Sequence, residues 1–477
     1  MTTEKKKGLF SARARPRILL FYIAIPVKLI ASALGAIGFV YQNGILMISG
    51  TVVWLVFFTI LLMIAVPAVD QRLRKYIRCL RNTAKTIVIS LIVLGVALIV
   101  FIVFVGLESF FSDEPDDRLS QLLVSVENVY GYNDATALSH QAAQNLIDGK
   151  NPYAEANTVR AMIDYNGEID KITPLREGRF ADVFPYPTID QLEQFWEDIR
   201  RTPGQIPIEI ESKFNYPAGS FLLPAPFVLV GISDFRFIYI ILVLPALAYV
   251  IYKVRSDLRI HLVFALVASL ELWNALAASE TGFLYFPFLL LGWILPKRNL
   301  WLSALFMAIA ITIKQLAWFV LPFYLILIFR TIGLKQMAMS LFIIIGVFLA
   351  TNLAFIVMDP NLWFDSVVAP VTDNMFPLGV GIISIVTGGA VDVQSPLPFA
   401  IIELAVAALA VIWYFFKCNR YPQTGLILAV LPLFFAWRSL WGYFFYIDII
   451  VLAAIMLNEY GIESNKESGK VLAVPSG

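Results

Sequence analysis

Cysteine and histidine are nearly absent from this 477-residue chain, with two of each. Cys79 and Cys418 cannot build a disulfide framework, and His140 and His261 are too few for a histidine-rich metal centre. Charged residues make up only 15% of the sequence, against about 25% in soluble domains. No Walker loop, Rossmann glycine fingerprint, GxSxG elbow or zinc motif occurs. Soluble nucleotide chemistry therefore has no visible home, and a primary pump is disfavoured. Internal repeats and low-complexity segments are also absent. What the chain has instead is apolar sequence, 59% of all residues, with mean hydropathy +0.76. A water-soluble core cannot absorb that excess, and repeated apolar stretches of about 20 residues read as membrane spans. A cytosolic enzyme, a disordered scaffold and a nucleic-acid binder are excluded. The 14% aromatic content suits interfacial belts in a lipid bilayer.

Charge is sorted along the chain. Residues 1–17 hold six basic residues and one acid, and residues 70–85 repeat that balance. Between them lie apolar stretches 18–41 and 44–69, the first read as a signal anchor. A third span covers 86–107. Residues 108–215 then carry 20 acidic and 9 basic side chains. The positive-inside rule puts 1–17 and 70–85 in the cytoplasm and this acidic segment outside. Within 216–458 four basic clusters, Lys253/Arg255/Arg259, Lys297/Arg298, Arg330/Lys335 and Lys417/Arg420, become cytoplasmic if 218–253 crosses the membrane an odd number of times. The expected fold is an all-α polytopic membrane protein of about 12 transmembrane helices. It has a large, mostly helical external loop after the third span and a cytoplasmic tail at 459–477. Short spans and the Pro- and Gly-bearing piece 376–390 predict irregular backbone, tolerated at membrane depth only around a covered or wet cavity. That places a cavity, open to the outside, in the carboxyl half.

Several residues stand out chemically. Asn133-Asp134 precedes a helical run, 135–148, with Gly149 at its C-cap. Asp134 reads either as the helix cap or as a carboxylate working at the outer membrane face. His140 reads as an exposed helix residue. The run 189–199 suggests a short surface helix, and Asn215-Tyr216-Pro217 marks the return to the bilayer. Glu271, Glu280, Lys314, Arg438 and Asp448 lie in or beside apolar stretches, where ionisable groups are costly. Snorkelling would explain Lys314 and Arg438, and a structural ion pair would explain Glu271 or Asp448. Yet topology brings Asp134, Glu280, Lys314 and Arg438 to one membrane face. One base and two cations there suit an anionic lipid head group.

Over about residues 86–460 the chain resembles the GT-C superfamily of integral membrane glycosyltransferases, most of all polyprenyl-phosphate-mannose-dependent mannosyltransferases. The resemblance is carried by Asp134 early in a large external loop, the run Leu146-Ile147-Asp148-Gly149-Lys150-Asn151-Pro152-Tyr153, and Asn215-Tyr216-Pro217. Lys314 before an apolar span ending in Leu-Pro and the late Trp437-Arg438-Ser439-Leu440-Trp441 segment add to it. Ala218 stands where the family often has a second proline, and Gln315 where it has a proline after the lysine. The resemblance implies transfer of a sugar, a mannose-like hexose or a pentose, from a polyprenyl-phosphate donor to a hydroxyl of a glycolipid, polysaccharide or protein. Asp134 would be the general base. Lys314 and Arg438 would hold the departing phosphate, with Tyr153, Tyr216, Glu280 and Trp441 completing the substrate-binding set. No metal ligands are assigned, and a divalent cation, Mg or Mn, which some members use, stays open. The spans 18–69 look like an amino-terminal addition, and Lys28 is given no role. The setting is the outer face of a plasma membrane, bacterial by default. Two other readings remain: a transporter or lipid flippase, and a polysaccharide polymerase or ligase with a lipid-diphosphate donor.

The charge pattern makes a topological prediction. In a cysteine-free background, Leu80→Cys should resist a membrane-impermeant maleimide in intact cells while Asp170→Cys reacts. The opposite labelling would reverse the orientation.

Overall fold

The computed structural model describes residues 15–111, 131–167, 169–232 and 234–460, with side chains in 95–111 left undescribed. Most of the basic amino-terminal tail, the first part of the expected external loop and the tail 461–477 therefore lie outside the described residues. The architecture is helical, 72% by residue, with almost no strand. Six helical stretches are long and apolar enough to cross a membrane: Pro16–Val40 (α1), Gly44–Ala65 (α2), Phe235–Lys253, Leu334–Met358, Leu397–Lys417 and Trp441–Asn458. A seventh is added if the pair Ser256–Ala268 and Leu270–Ala277, bent by 51°, forms one broken span. Shorter apolar helices lie at Gly219–Leu229, Gly282–Ile294, Leu300–Ile313, Leu316–Thr331 and Thr424–Phe435. The expected third span falls inside helix Ile77–Phe111.

α1 and α2 form an antiparallel hairpin. Asn43 caps α2 by accepting from the Leu46 N–H at 3.1 Å. The two helices touch backbone to backbone: a Cβ on Gly50 would sit 2.8 Å from the Gly35 nitrogen, and one on Gly38 would sit 2.6 Å from the Met47 nitrogen. Small residues permit this approach where lipid supplies no hydrophobic drive between helices. The same device recurs at Gly292, where a Cβ would lie 3.0 Å from the Met307 nitrogen.

Basic side chains converge at one end of the bundle. Arg17, at the start of α1, pairs with Asp70 at 2.9 Å and Glu459 at 2.7 Å, and the Tyr460 hydroxyl donates to Asp70 at 2.7 Å. Arg298 donates to the Leu457 carbonyl and Arg255 to the Tyr460 carbonyl. The polar segment that follows helix Ile77–Phe111 packs at the other end, where Tyr186 meets Phe39, near the end of α1, at 5.4 Å between ring centroids.

Midway along α1, Lys28 is 3% exposed. Its Nζ donates to the Phe445 carbonyl at 2.7 Å and to Asp448 at 3.1 Å, with Glu271 at 3.7 Å. The expectation of a peripheral Lys28 without a role is thus corrected. Its charge is buried because the hairpin packs against the carboxyl half instead of standing apart from it. The structural ion-pair reading of Glu271 and Asp448 holds. The stretch 376–390 is irregular, as expected: a two-residue strand, Leu378–Gly379 (β1), pairs in parallel with Arg438–Ser439 (β2). A single turn of helix, Ser384–Thr387, then packs under α2. The Thr51 hydroxyl of α2 bonds the Val380 and Gly381 carbonyls and the Ser384 hydroxyl, satisfying backbone that a helix would otherwise have satisfied itself.

Removing one partner of a buried charge cluster costs about 3–5 kcal/mol because the others are left uncompensated. Lys28→Met should therefore lower the unfolding temperature in detergent sharply, and adding Asp448→Asn should recover part of the loss. A thermal-melt comparison of the single and double variants checks both.

Candidate functional site

Asn and Asp favour helix starts because their side-chain oxygens accept N–H groups that have no partner within the helix. At helix Asp134–Ile147 the cap is Asn133, whose Oδ1 accepts from the Thr136 N–H at 2.8 Å. The reading of Asp134 as the cap is corrected. It is the first helical residue, and its Oδ1 accepts from the Ala135 N–H at 2.7 Å, with further support from Thr173. Asn133 thus relieves Asp134 of the capping role. At the other end Gly149, with φ +73°, closes the helix as expected.

Lys314 occupies a break. Its extended backbone, φ −148°, separates helix Leu300–Ile313 from Leu316–Thr331. The buried Nζ donates to the Thr281 hydroxyl at 2.5 Å and lies 5.0 Å from the centre of the Tyr216 ring, a cation–π distance. Glu280 sits in the turn between helices Leu270–Ala277 and Gly282–Ile294, next to Ser279 with φ +54°. Gly442 lets it come close: a Cβ there would lie 2.9 Å from the Glu280 Oε2. Arg438 is presented by β2, and its Nη1 donates to the Phe376 carbonyl at 3.4 Å. Neither Lys314 nor Arg438 has a direct ion pair among the described residues.

The charges feel one another. Burial raises the Asp134 carboxyl above its ordinary 3.8, opposed by Thr173, Ala135 and the Arg438 charge. Burial likewise raises Glu280, against Lys314 and Lys171, with Asp134 adding to the rise. The Lys314 ammonium is pushed down to about 8 by burial, against the pull of Glu280 and Asp134. The Arg438 charge acts on Asp134, Tyr186 and Tyr443. Asp134 is thus the group on which both cations act.

Asp134, Glu280, Lys314, Arg438 and Tyr216 are brought together. Tyr153 is not in that set: it is buried behind it, its hydroxyl donating to the Tyr216 carbonyl at 3.0 Å. Trp441 turns away, its Nε1 donating to Glu271 at 3.2 Å. His140 is corrected from exposed to buried, stacked on Tyr165 at 3.9 Å and packed on Phe235 at 4.9 Å. Burial pushes it down to about 4, so it is a neutral packing residue. Sequence reading missed Lys171, Thr173 and Tyr186, which carry no spacing signal, and Thr281, whose position beside Glu280 was a usable one.

A divalent cation needs several oxygen ligands. Among the described residues no three His, Cys, Asp or Glu side chains converge, and Asp134 and Glu280 already stand in the fields of Lys314, Lys171 and Arg438. No residue is therefore assigned as a metal ligand among the described residues. A cavity of about 570 Å³ lies between the carboxyl half and the amino-terminal hairpin, with walls from both. No protein family, characterised protein or solved structure matches the chain.

Thr173 is held in place by Glu211, whose N–H donates to the Thr173 carbonyl at 2.9 Å. The Glu211 side chain is pushed up from 4.5 to about 8, first by burial and then by Asp373, against the pull of Lys213. A raised carboxyl favours its neutral form in the fold. Its contribution is whole below the ordinary value and is lost as pH climbs towards about 8. Wild type should lose thermal stability across that window, while Glu211→Gln, neutral throughout, should lose less. Melting curves at a series of pH values read the difference.

Proposed function

We propose that this chain is a membrane glycosyltransferase of the GT-C kind, moving a sugar from a polyprenyl-phosphate donor to a hydroxyl acceptor at the outer face of a plasma membrane. The observation that carries the proposal is the grouping of Asp134 with Lys314 and Arg438 at one end of an apolar bundle, each on a separate element. The shorter apolar helices, counted with the long ones and with helix Ile77–Phe111, bring the reading to about 12 crossings.

In the proposed reaction the acceptor oxygen attacks the anomeric carbon. The new carbon–oxygen bond forms as the bond to the lipid-phosphate oxygen breaks, and the leaving phosphate keeps the electron pair. The hydroxyl proton passes to Asp134. Burial supports that role, because a raised carboxyl is a stronger base once ionised. Lys314 is placed to meet the negative charge on the departing phosphate, a charge-assisted contact in a partly dry setting. The Arg438 charge opposes the upward shift of Asp134 and so favours the ionised base, and it offers a second anion contact. Glu280 counterbalances Lys314 before donor arrives. No step is routed through a metal ion.

Asp134→Asn should leave folding and donor binding intact and cut transfer about 10²–10⁴-fold, the usual worth of a general base. Lys314→Ala and Arg438→Ala should each slow transfer about 10- to 150-fold, as expected for a lost hydrogen bond to a charged group. In wild type the rate should rise with pH through a step above the ordinary aspartate value of 3.8, and the residual rate of Asp134→Asn should lack that step. A proteoliposome assay with radiolabelled polyprenyl-phosphate sugars measures all three. Movement of lipid across the bilayer without sugar transfer would favour a flippase instead.

A further inference from the structure

The cavity of about 570 Å³ is a slot between the hairpin and the carboxyl half. One wall is α1 from Leu29 to Phe39 with the facing part of α2, and the other includes Glu271, Val380, Leu440 and Trp441. Ten helical rises from Leu29 to Phe39 make the slot about 15 Å long, roughly the depth of one leaflet of a 30 Å hydrocarbon core. Its volume is that of a ligand site, and its walls are overwhelmingly apolar. The deep end is at Leu29, beside the Lys28–Asp448–Glu271 cluster. The shallow end is at Phe39, which touches Tyr186. Tyr186 in turn packs on Phe376 at 5.5 Å and feels the charge of Arg438. A hydrocarbon chain lying in the slot would therefore bring its polar end out beside Arg438 and so beside Asp134.

The turn Trp441–Tyr443 divides this slot from the Lys314 side of the site. Trp441 faces the slot, tied to Glu271, while Gly442 faces Glu280, which answers to Lys314. Asp134 thus has a cation on either side of that turn, Arg438 towards the slot and Lys314 across it. A transferase needs two substrates on opposite sides of the base-assisted step, one leaving as an anion and one arriving with a hydroxyl. Lys314, across the turn from the slot, is the cation assigned above to the leaving phosphate.

We propose that the slot holds the hydrocarbon chain of the acceptor, so that the acceptor is a lipid of the outer leaflet. Its head group lies at Arg438 and Tyr186, and its hydroxyl faces Asp134. This rests on the glycosyltransferase reading for the identity of the site, but the slot's occupancy is read without turnover.

The test uses the full-length protein in lipid nanodiscs with two photoactivatable lipids, each carrying a diazirine on its chain. One is lysophosphatidylglycerol, with a single acyl chain, an anionic head and free hydroxyls. The other is polyprenyl phosphate. Cross-linked residues are mapped by mass spectrometry. Lysophosphatidylglycerol should label the Leu29–Ala36 and Met47–Trp54 walls. That labelling should be lost in Ala36→Trp and in Val380→Trp, which fill the slot from opposite sides. Two variants guard against misfolding of one, and unchanged melting temperature qualifies each. Polyprenyl phosphate should label elsewhere, keep its labelling in both slot variants and lose it in Lys314→Ala. Labelling of the slot walls by polyprenyl phosphate, abolished by Ala36→Trp, would overturn the proposal in favour of a donor chain. Lysophosphatidylglycerol labelling that both slot variants leave unchanged would also overturn it, as would no labelling of these walls. If the slot labels as expected but no polyprenyl-phosphate sugar is ever transferred, the glycosyltransferase reading fails and the lipid-chain site stands.

Discussion

A lysine ammonium buried at mid-bundle, held by two carboxylates and a carbonyl, is the interaction on which much of this architecture depends. Lys28 brings α1 to Asp448 and Glu271. Desolvating three charged groups is expensive, and only close mutual contact makes it tolerable. The cost fixes the geometry: the hairpin cannot slide or tilt without stranding a charge in an apolar interior. Glu271 carries the constraint further, because its other contact is the Trp441 indole. That indole anchors the turn whose next residue, Gly442, lies against Glu280. An ion cluster halfway down the bundle thus sets one wall of a site at its end.

Broken backbone is the second theme. Lys314, Glu280 and Arg438 sit respectively in a helix break, a turn with a positive-φ serine and a two-residue strand. A continuous helix satisfies its own backbone and directs side chains only sideways. Interrupting it lets side chains converge along the bundle axis. The freed backbone groups are covered in turn: the Thr51 hydroxyl and the β1–β2 pair serve the stretch around Gly379–Gly381. At Gly379 (φ +138°) and Gly381 a Cβ would meet the Ser439 and Phe434 carbonyls at 2.1 Å, so the absence of a side chain there makes the pairing with β2 feasible.

Much of the candidate site was legible because ionisable residues inside apolar sequence are conspicuous. Glu280, Lys314 and Arg438 stand out in this way, and Asp134 stands out at the start of a helical run; their charges act on one another in the fold. Their partners were not legible. Thr173 and Lys171 sit in a polar loop where every residue looks alike, and only chain reversal brings them to Asp134 and Glu280. Tyr153 and Trp441 were drawn in by motif likeness, yet one hydroxyl went to a carbonyl behind Tyr216 and one indole to Glu271. Side-chain direction at a turn is a tertiary property. His140 looked like a surface residue by composition and was buried by Tyr165 and Phe235, aromatic rings distant from it in sequence.

Hydropathy and charge counting by themselves determined that this is a helical membrane protein with basic residues gathered at one end, because the water-to-bilayer transfer cost is a sum over local composition and needs no knowledge of contacts. The helix stop at Gly149 was likewise local, set by hydrogen bonds within one turn. Tertiary structure alone decided that the first two helices belong to the core, that Lys28 is buried, and that an apolar slot lies between those helices and the carboxyl half. Those outcomes depend on which apolar faces meet. Faces that are all leucine, isoleucine and phenylalanine carry no label for their partners. The labels are single polar groups, Lys28 and Glu271 among them, whose matching becomes visible only once the chain has folded.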